Sequence, residues 1–114
     1  MSALVEEVFN KINTHKGIEG IIVCDGEGIP IKSSLNDEQK TYFYTTSASL
    51  FVKRCRNLVG ELFKKDPKIK ELDKEKEKDE ELTFIRIRTK QNEIMIAPEN
   101  EFILIVIQNP SSQN

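Results

Sequence analysis

Leu4, Val5, Val8, Phe9 and Ile12 recur at helical spacing, with Ser2 at an N-cap position and Gly17 placed to close the helix in a left-handed conformation. This pattern predicts a first helix over about 2–16. The apolar segment 18–25 then reads as a strand, Asp25-Gly26-Glu27-Gly28 as a turn, and 29–33 as the returning strand of a hairpin. Pro30 has no N–H for a ladder, so this second strand belongs at a sheet edge, which it protects.

Asn36 followed by Gln39 resembles a capping box, and Tyr44, Ala48, Phe51, Cys55, Leu58 and Leu62 follow in alternating steps of four and three. A long second helix is expected over about 37–64. Val52, Val59 and Phe63 widen its stripe beyond what one sheet face requires, so a second surface should pack there. From 64 to 81 nearly every residue is charged and the signs are mixed, with Pro67, Ile69 and Leu72 as the exceptions. The segment reads as a surface insertion, a solvated linker more readily than a binding arm. Segments 82–89, 93–97 and 102–108 then form an antiparallel meander, and Asn109-Pro110 ends it before a frayed tail at 111–114. Residues 1–110 are thus expected to form a single domain.

Ile21-Ile22-Val23 and the run from Ile103 to Ile107 lack a polar alternate face, so the first and fifth strands should be central, adjacent and covered on both sides. With the hairpins in place, the expected fold is α/β: a five-stranded antiparallel sheet of order 2-1-5-4-3 between two helices. Its third strand, long, rich in β-formers and free of proline, is an edge that invites pairing. A two-fold dimer through that edge would satisfy its backbone and bring two copies of the second helix together. The expected interface comprises Tyr44, Ala48, Phe51, Cys55 and Leu58 from the helix and Thr83, Ile85 and Ile87 from the strand. Phe84, Arg86 and Arg88 share the other strand face, and are either a site for an amphipathic or acidic partner or a solvated surface.

Composition narrows the function. Hydrophobic residues are 38% and charged residues 32% of the 114, which suits a folded domain with a modest core. The net charge of −2, with seventeen basic residues scattered among nineteen acidic ones, leaves no basic stripe for nucleic acid. The longest apolar runs fall far short of the roughly 20 residues that span a bilayer, so no membrane contact is expected. Glu6 and Glu7 in the amphipathic start, and the lack of a small-residue cleavage site, argue against a secretory or transit signal. Cys24 and Cys55 lie in apolar patterns without a C-x-x-C pair, which favours reduced thiols in core packing and, weakly, a cytosolic compartment. In Gly26-Glu27-Gly28 the third glycine of a dinucleotide loop is replaced by Ile31 and a strand follows, so these are hairpin residues. His15 is the sole histidine and has no partners at metal-ligand spacing. No catalytic residue, metal or cofactor is expected.

Several blocks, in order, carry a wider resemblance: Lys16-Gly17-Ile18-Glu19-Gly20-Ile21-Ile22-Val23, Glu27-Gly28-Ile29-Pro30-Ile31-Lys32-Ser33, Leu82-Thr83-Phe84-Ile85-Arg86-Ile87-Arg88, Asn92-Glu93-Ile94-Met95-Ile96-Ala97-Pro98, and the run from Phe102 to Pro110. Over nearly the whole chain apart from the charged insertion, the sequence resembles the roadblock family of dynein light chains. The resemblance implies a roadblock/profilin-like fold, a continuous sheet across a dimer, and a non-catalytic role. The implied partners are a dynein intermediate chain and a second copy or a paralogous light chain, acting in microtubule-based movement. Cytoplasm and cytoskeleton, or a ciliary or flagellar axoneme, are the implied locations. The alternative is a roadblock-fold scaffold for a small GTPase or its regulatory complex.

Overall fold

The computed structural model of the chain describes residues 3–64 and 80–110. Two helices and five strands follow in the order α1 (Ala3–Asn13), β1 (Ile18–Cys24), β2 (Pro30–Ser33), α2 (Glu38–Leu62), β3 (Ile85–Arg88), β4 (Glu93–Pro98) and β5 (Ile103–Gln108). All strand pairs are antiparallel, and the sheet order is β2-β1-β5-β4-β3, as expected. Most of the charged run 64–81, including Pro67, Ile69 and Leu72, lies outside the described residues, as do Ser2 and the tail 111–114.

The continuous apolar runs of β1 and β5 are explained by cover on both faces. Ile21 and Val23 turn toward Val5 and Phe9 of α1, while Ile22 and Cys24 turn toward Ala48 and Val52 of α2. Neighbouring β5 continues both cores, with Ile22 opposite Ile105 and Ile21 opposite Val106. Ile21, Ile22 and Ile105 are fully buried, each worth roughly 1.5–3 kcal/mol relative to an exposed side chain.

The helix ends differ from the sequence reading. α1 stops at Asn13, where Thr14 Oγ1 donates to the Lys11 carbonyl at 2.7 Å and draws the chain into a turn. Gly17 does have a positive φ, +88°, but four residues past the helix, where its carbonyl accepts from the Asn109 N–H. α2 is capped one residue later than Asn36: the Asp37 carboxylate accepts from the Lys40 N–H at 3.1 Å.

The buried face of α2 is also not the stripe of large apolar residues. Thr41, Thr45, Ala48, Ser49 and Val52 are its buried positions, so the helix lays mostly small side chains on the sheet. Two of its hydroxyls are satisfied within the helix, Thr45 donating to the Tyr42 carbonyl and Ser49 to the Thr46 carbonyl, while Thr41 shares a hydrogen bond with Ser33 of β2. Back-bonding of this kind lets Ser and Thr face a core, which a hydrophobicity pattern does not register. Small residues also let the β1–β2 turn come close. Gly28, at φ +88°, sits where a Cβ would be 2.8 Å from Ser49 Oγ and 3.0 Å from the Thr45 carbonyl.

Candidate interaction surfaces

Among the described residues β3 pairs with β4 alone and presents an open edge. The Thr89 N–H donates to the Asn92 carbonyl, and the direction of backbone groups alternates along an antiparallel pair. The N–H and C=O groups of Ile85 and Ile87 therefore turn to β4, and those of Arg86 and Arg88 turn outward. The strand is shorter than the expected 82–89, because Leu82, Thr83 and Phe84 precede the ladder.

On the α2 side of this edge, Phe43, Tyr44, Phe51, Ile87, Ile94 and Ile96 line an apolar groove of about 250 Å³. The expected interface residues do not all lie open to it. Phe51 and Leu58 are exposed, Tyr44, Cys55, Ile85 and Ile87 are half-buried, and Thr83 is exposed outside the strand. Ala48, at 5% exposure, packs in the protomer's own core and also forms part of the floor of this groove. Phe43 was missed by the stripe reading, yet it is 69% exposed and packs edge-on to Tyr44. Leu62 and Phe63 extend the uncovered apolar surface at the far end of the helix.

The other face of the same edge carries Arg86 and Arg88, both exposed, with Phe84 beside them. Phe84, half exposed, lines a groove of about 330 Å³ with Ile12, Met95, Ala97, Leu104 and Val106. α1 covers β1 but leaves this part of the sheet free. The three expected partner-binding residues are thus gathered on one side.

Glu93, which the sequence reading passed over, is completely buried at the start of β4. Its Oε1 accepts from Arg86 Nε, one strand away, while its Oε2 has no hydrogen-bond partner among the described residues. Arg88, its direct cross-strand neighbour, leaves that oxygen alone. A lone Glu opening a strand looks solvated in sequence; the signal that marks it is the pair of arginines opposite.

Burial, helped by Asp25, pushes the Cys24 thiol up to about 11, so it stays protonated at neutral pH. Cys55 is half-buried rather than buried, and His15 is exposed at the turn after α1. Among the described residues no three His, Cys, Asp or Glu side chains cluster to hold a metal, and no helix is long and apolar enough to cross a membrane.

A model of the Roadblock/LC7 domain matches residues 4–68 and 67–109. The chain belongs to the Roadblock/LC7 family. The two matched segments meet inside the charged run, the part that the sequence blocks set apart. Solved roadblock structures share the fold. A Roadblock/LC7 domain from Streptomyces avermitilis superposes with a TM-score of 0.67 at 9% identity, over 88% of this chain and 72% of that one. MglB from Myxococcus xanthus gives 0.70 at 12% identity, over 96% and 79%. An MglB in a tetrameric arrangement gives 0.71 at 8% identity, over 98% and 77%. At such identities the likeness concerns the roadblock fold alone.

Proposed function

We propose that this roadblock chain is a non-catalytic adaptor that pairs with a second copy, or a paralogue, along β3 and holds a segment of a larger assembly. The observation that carries this reading is the open β3 edge flanked by an apolar α2 groove. Pairing there would satisfy the outward backbone groups of Arg86 and Arg88 and cover Phe43 and Phe51 together. The partner segment would lie across the seam on the opposite face, its apolar part on Phe84 and its acidic groups on Arg86 and Arg88.

Two partner classes fit this surface. The strand and loop blocks that resemble dynein light chains support a dynein intermediate chain, in cytoplasm and cytoskeleton or in an axoneme. The MglB neighbours favour the second class, a small GTPase or its regulatory complex, by likeness of fold. Affinity purification of the tagged chain separates them: recovery of an intermediate chain supports the first, and recovery of a GTPase without it supports the second. Titration of a labelled intermediate-chain fragment into a folded, dimeric Arg86→Glu, Arg88→Glu variant tests the surface. Weakened binding with altered salt dependence is expected, since exposed charges act mainly on association rate; unchanged affinity and salt dependence would place the partner on another face.

A further inference from the structure

We propose that Glu93 is a charge-compensating clamp that allows β3 to pair with β3 of a second copy of this chain. The inference rests on the β3 seam proposed above and extends it to a residue that lies one strand inside that seam.

Facing residues of an antiparallel pair project to the same side of the sheet. Arg86 and Arg88 project to the face opposite Ile85 and Ile87, and their backbone groups point outward. A two-fold register that joins two such edges through these outward positions therefore sets the face carrying Phe84, Arg86 and Arg88 of one copy beside the same face of the other. Four guanidinium groups converge on one side of the seam, and like charges directly opposite each other oppose pairing.

Glu93 answers this arrangement. It is the acidic residue that Arg86 reaches on that face, and burial keeps its charge out of the screening solvent. One oxygen is occupied by Arg86; the other has no partner among the described residues, and Arg88 stands directly opposite in the ladder. When the seam closes, Arg88 folds onto that second oxygen. Each buried carboxylate then holds two arginines, drawing charge away from the two-fold axis and ending the cost of an unsatisfied buried acceptor.

The test is the salt dependence of self-association, measured by sedimentation of the full chain. Wild type should dimerise with little change between roughly 0.05 M and roughly 0.5 M salt. Glu93→Gln should weaken the dimer about tenfold or more at low salt, and salt should restore most of the loss by screening the arginines. An Arg86→Gln, Glu93→Gln double variant removes one charge of each sign and should dimerise like wild type at low salt. It also serves if the single variant does not fold. A Glu93→Gln dimer that matches wild type, or is weakened equally at both salt levels, would overturn the clamp, as would a double variant that folds but stays weak. A wild type that remains a monomer would instead overturn the seam itself.

Discussion

At one edge of the sheet β2 is closed in, and at the other β3 is left open. β2 begins with Pro30, which offers no N–H. Lys32 reaches Glu6 of α1 at 2.7 Å and lies 4.6 Å from the centre of the Phe9 ring, and Ser33 bonds to Thr41 of α2. Both helices thus hold this edge through polar contacts. β3 has apolar residues on one face, arginines on the other, and outward backbone groups that meet no strand among the described residues. Among the described residues, the sheet is finished by its own chain at β2, and its β3 edge meets no further strand. Disruption at β2 should therefore damage the fold, and disruption at β3 the assembly.

The sharpest way to break this contrast is at Gly28, next to the closed edge. Gly28→Val adds a branched side chain at φ +88° where a Cβ already meets Ser49 Oγ and the Thr45 carbonyl. The backbone cost and the clash together should remove about 3 kcal/mol or more of stability, read as a lower urea midpoint. A variant with the wild-type midpoint would show that the turn relaxes away from α2, so that the edge is not tightly held.

A smaller loss of stability but a complete loss of pairing is expected from Arg88→Pro. The Arg88 N–H points outward, so proline there leaves the β3–β4 ladder intact while removing a seam donor and kinking the edge. Sedimentation should show a folded monomer, with the thermal midpoint measured beside it. Proline at Ile85 or Ile87 is less discriminating, because those N–H groups turn to β4 and their loss would open the protomer's own hairpin. An Arg88→Pro chain that stays dimeric would move the interface from β3 to α2 alone.

How far these edges were legible in the sequence depends on the kind of signal. Strand order followed from two unbroken apolar runs, since Ile21-Ile22-Val23 and Ile103 to Ile107 require cover on both faces. The open edge followed from an unprotected strand with alternating Ile and Arg. The buried face of α2 did not, because Thr45 and Ser49 satisfy their hydroxyls within the helix, Thr41 bonds to Ser33 of β2, and all three pack as small residues. Their burial leaves Phe43 and Phe51 outside: Phe51 belongs to the wide stripe read from the sequence, whereas Phe43 lies off it. Glu93 was illegible for another reason: its meaning lies in the register between β3 and β4, which no local pattern contains.

The smallest effect expected concerns how the closed edge is held. Lys32 joins β2 to α1 through both Glu6 and the face of Phe9, and a single cation in two contacts looks like the pin of that edge. The magnitudes argue otherwise. The side chains of Lys32 and Glu6 are 29% and 43% exposed, so water and salt screen their attraction, and exposed pairs of this kind contribute about 1 kcal/mol or less. The ring contact adds roughly 0.5–1 kcal/mol at such a site, and part of that is packing of the aliphatic stem rather than charge. Lys32→Met keeps the stem over Phe9 and removes the charge. It should cost about 1 kcal/mol in low salt and less in high salt, with dimerisation at β3 unchanged. Lys32→Ala should lose somewhat more, and that increment should not depend on salt because it comes from the stem. A Lys32→Met loss of several kcal/mol that persists in high salt would mean that one cation closes the edge, and that Pro30, Gly28 and Ser33 contribute less than their positions suggest.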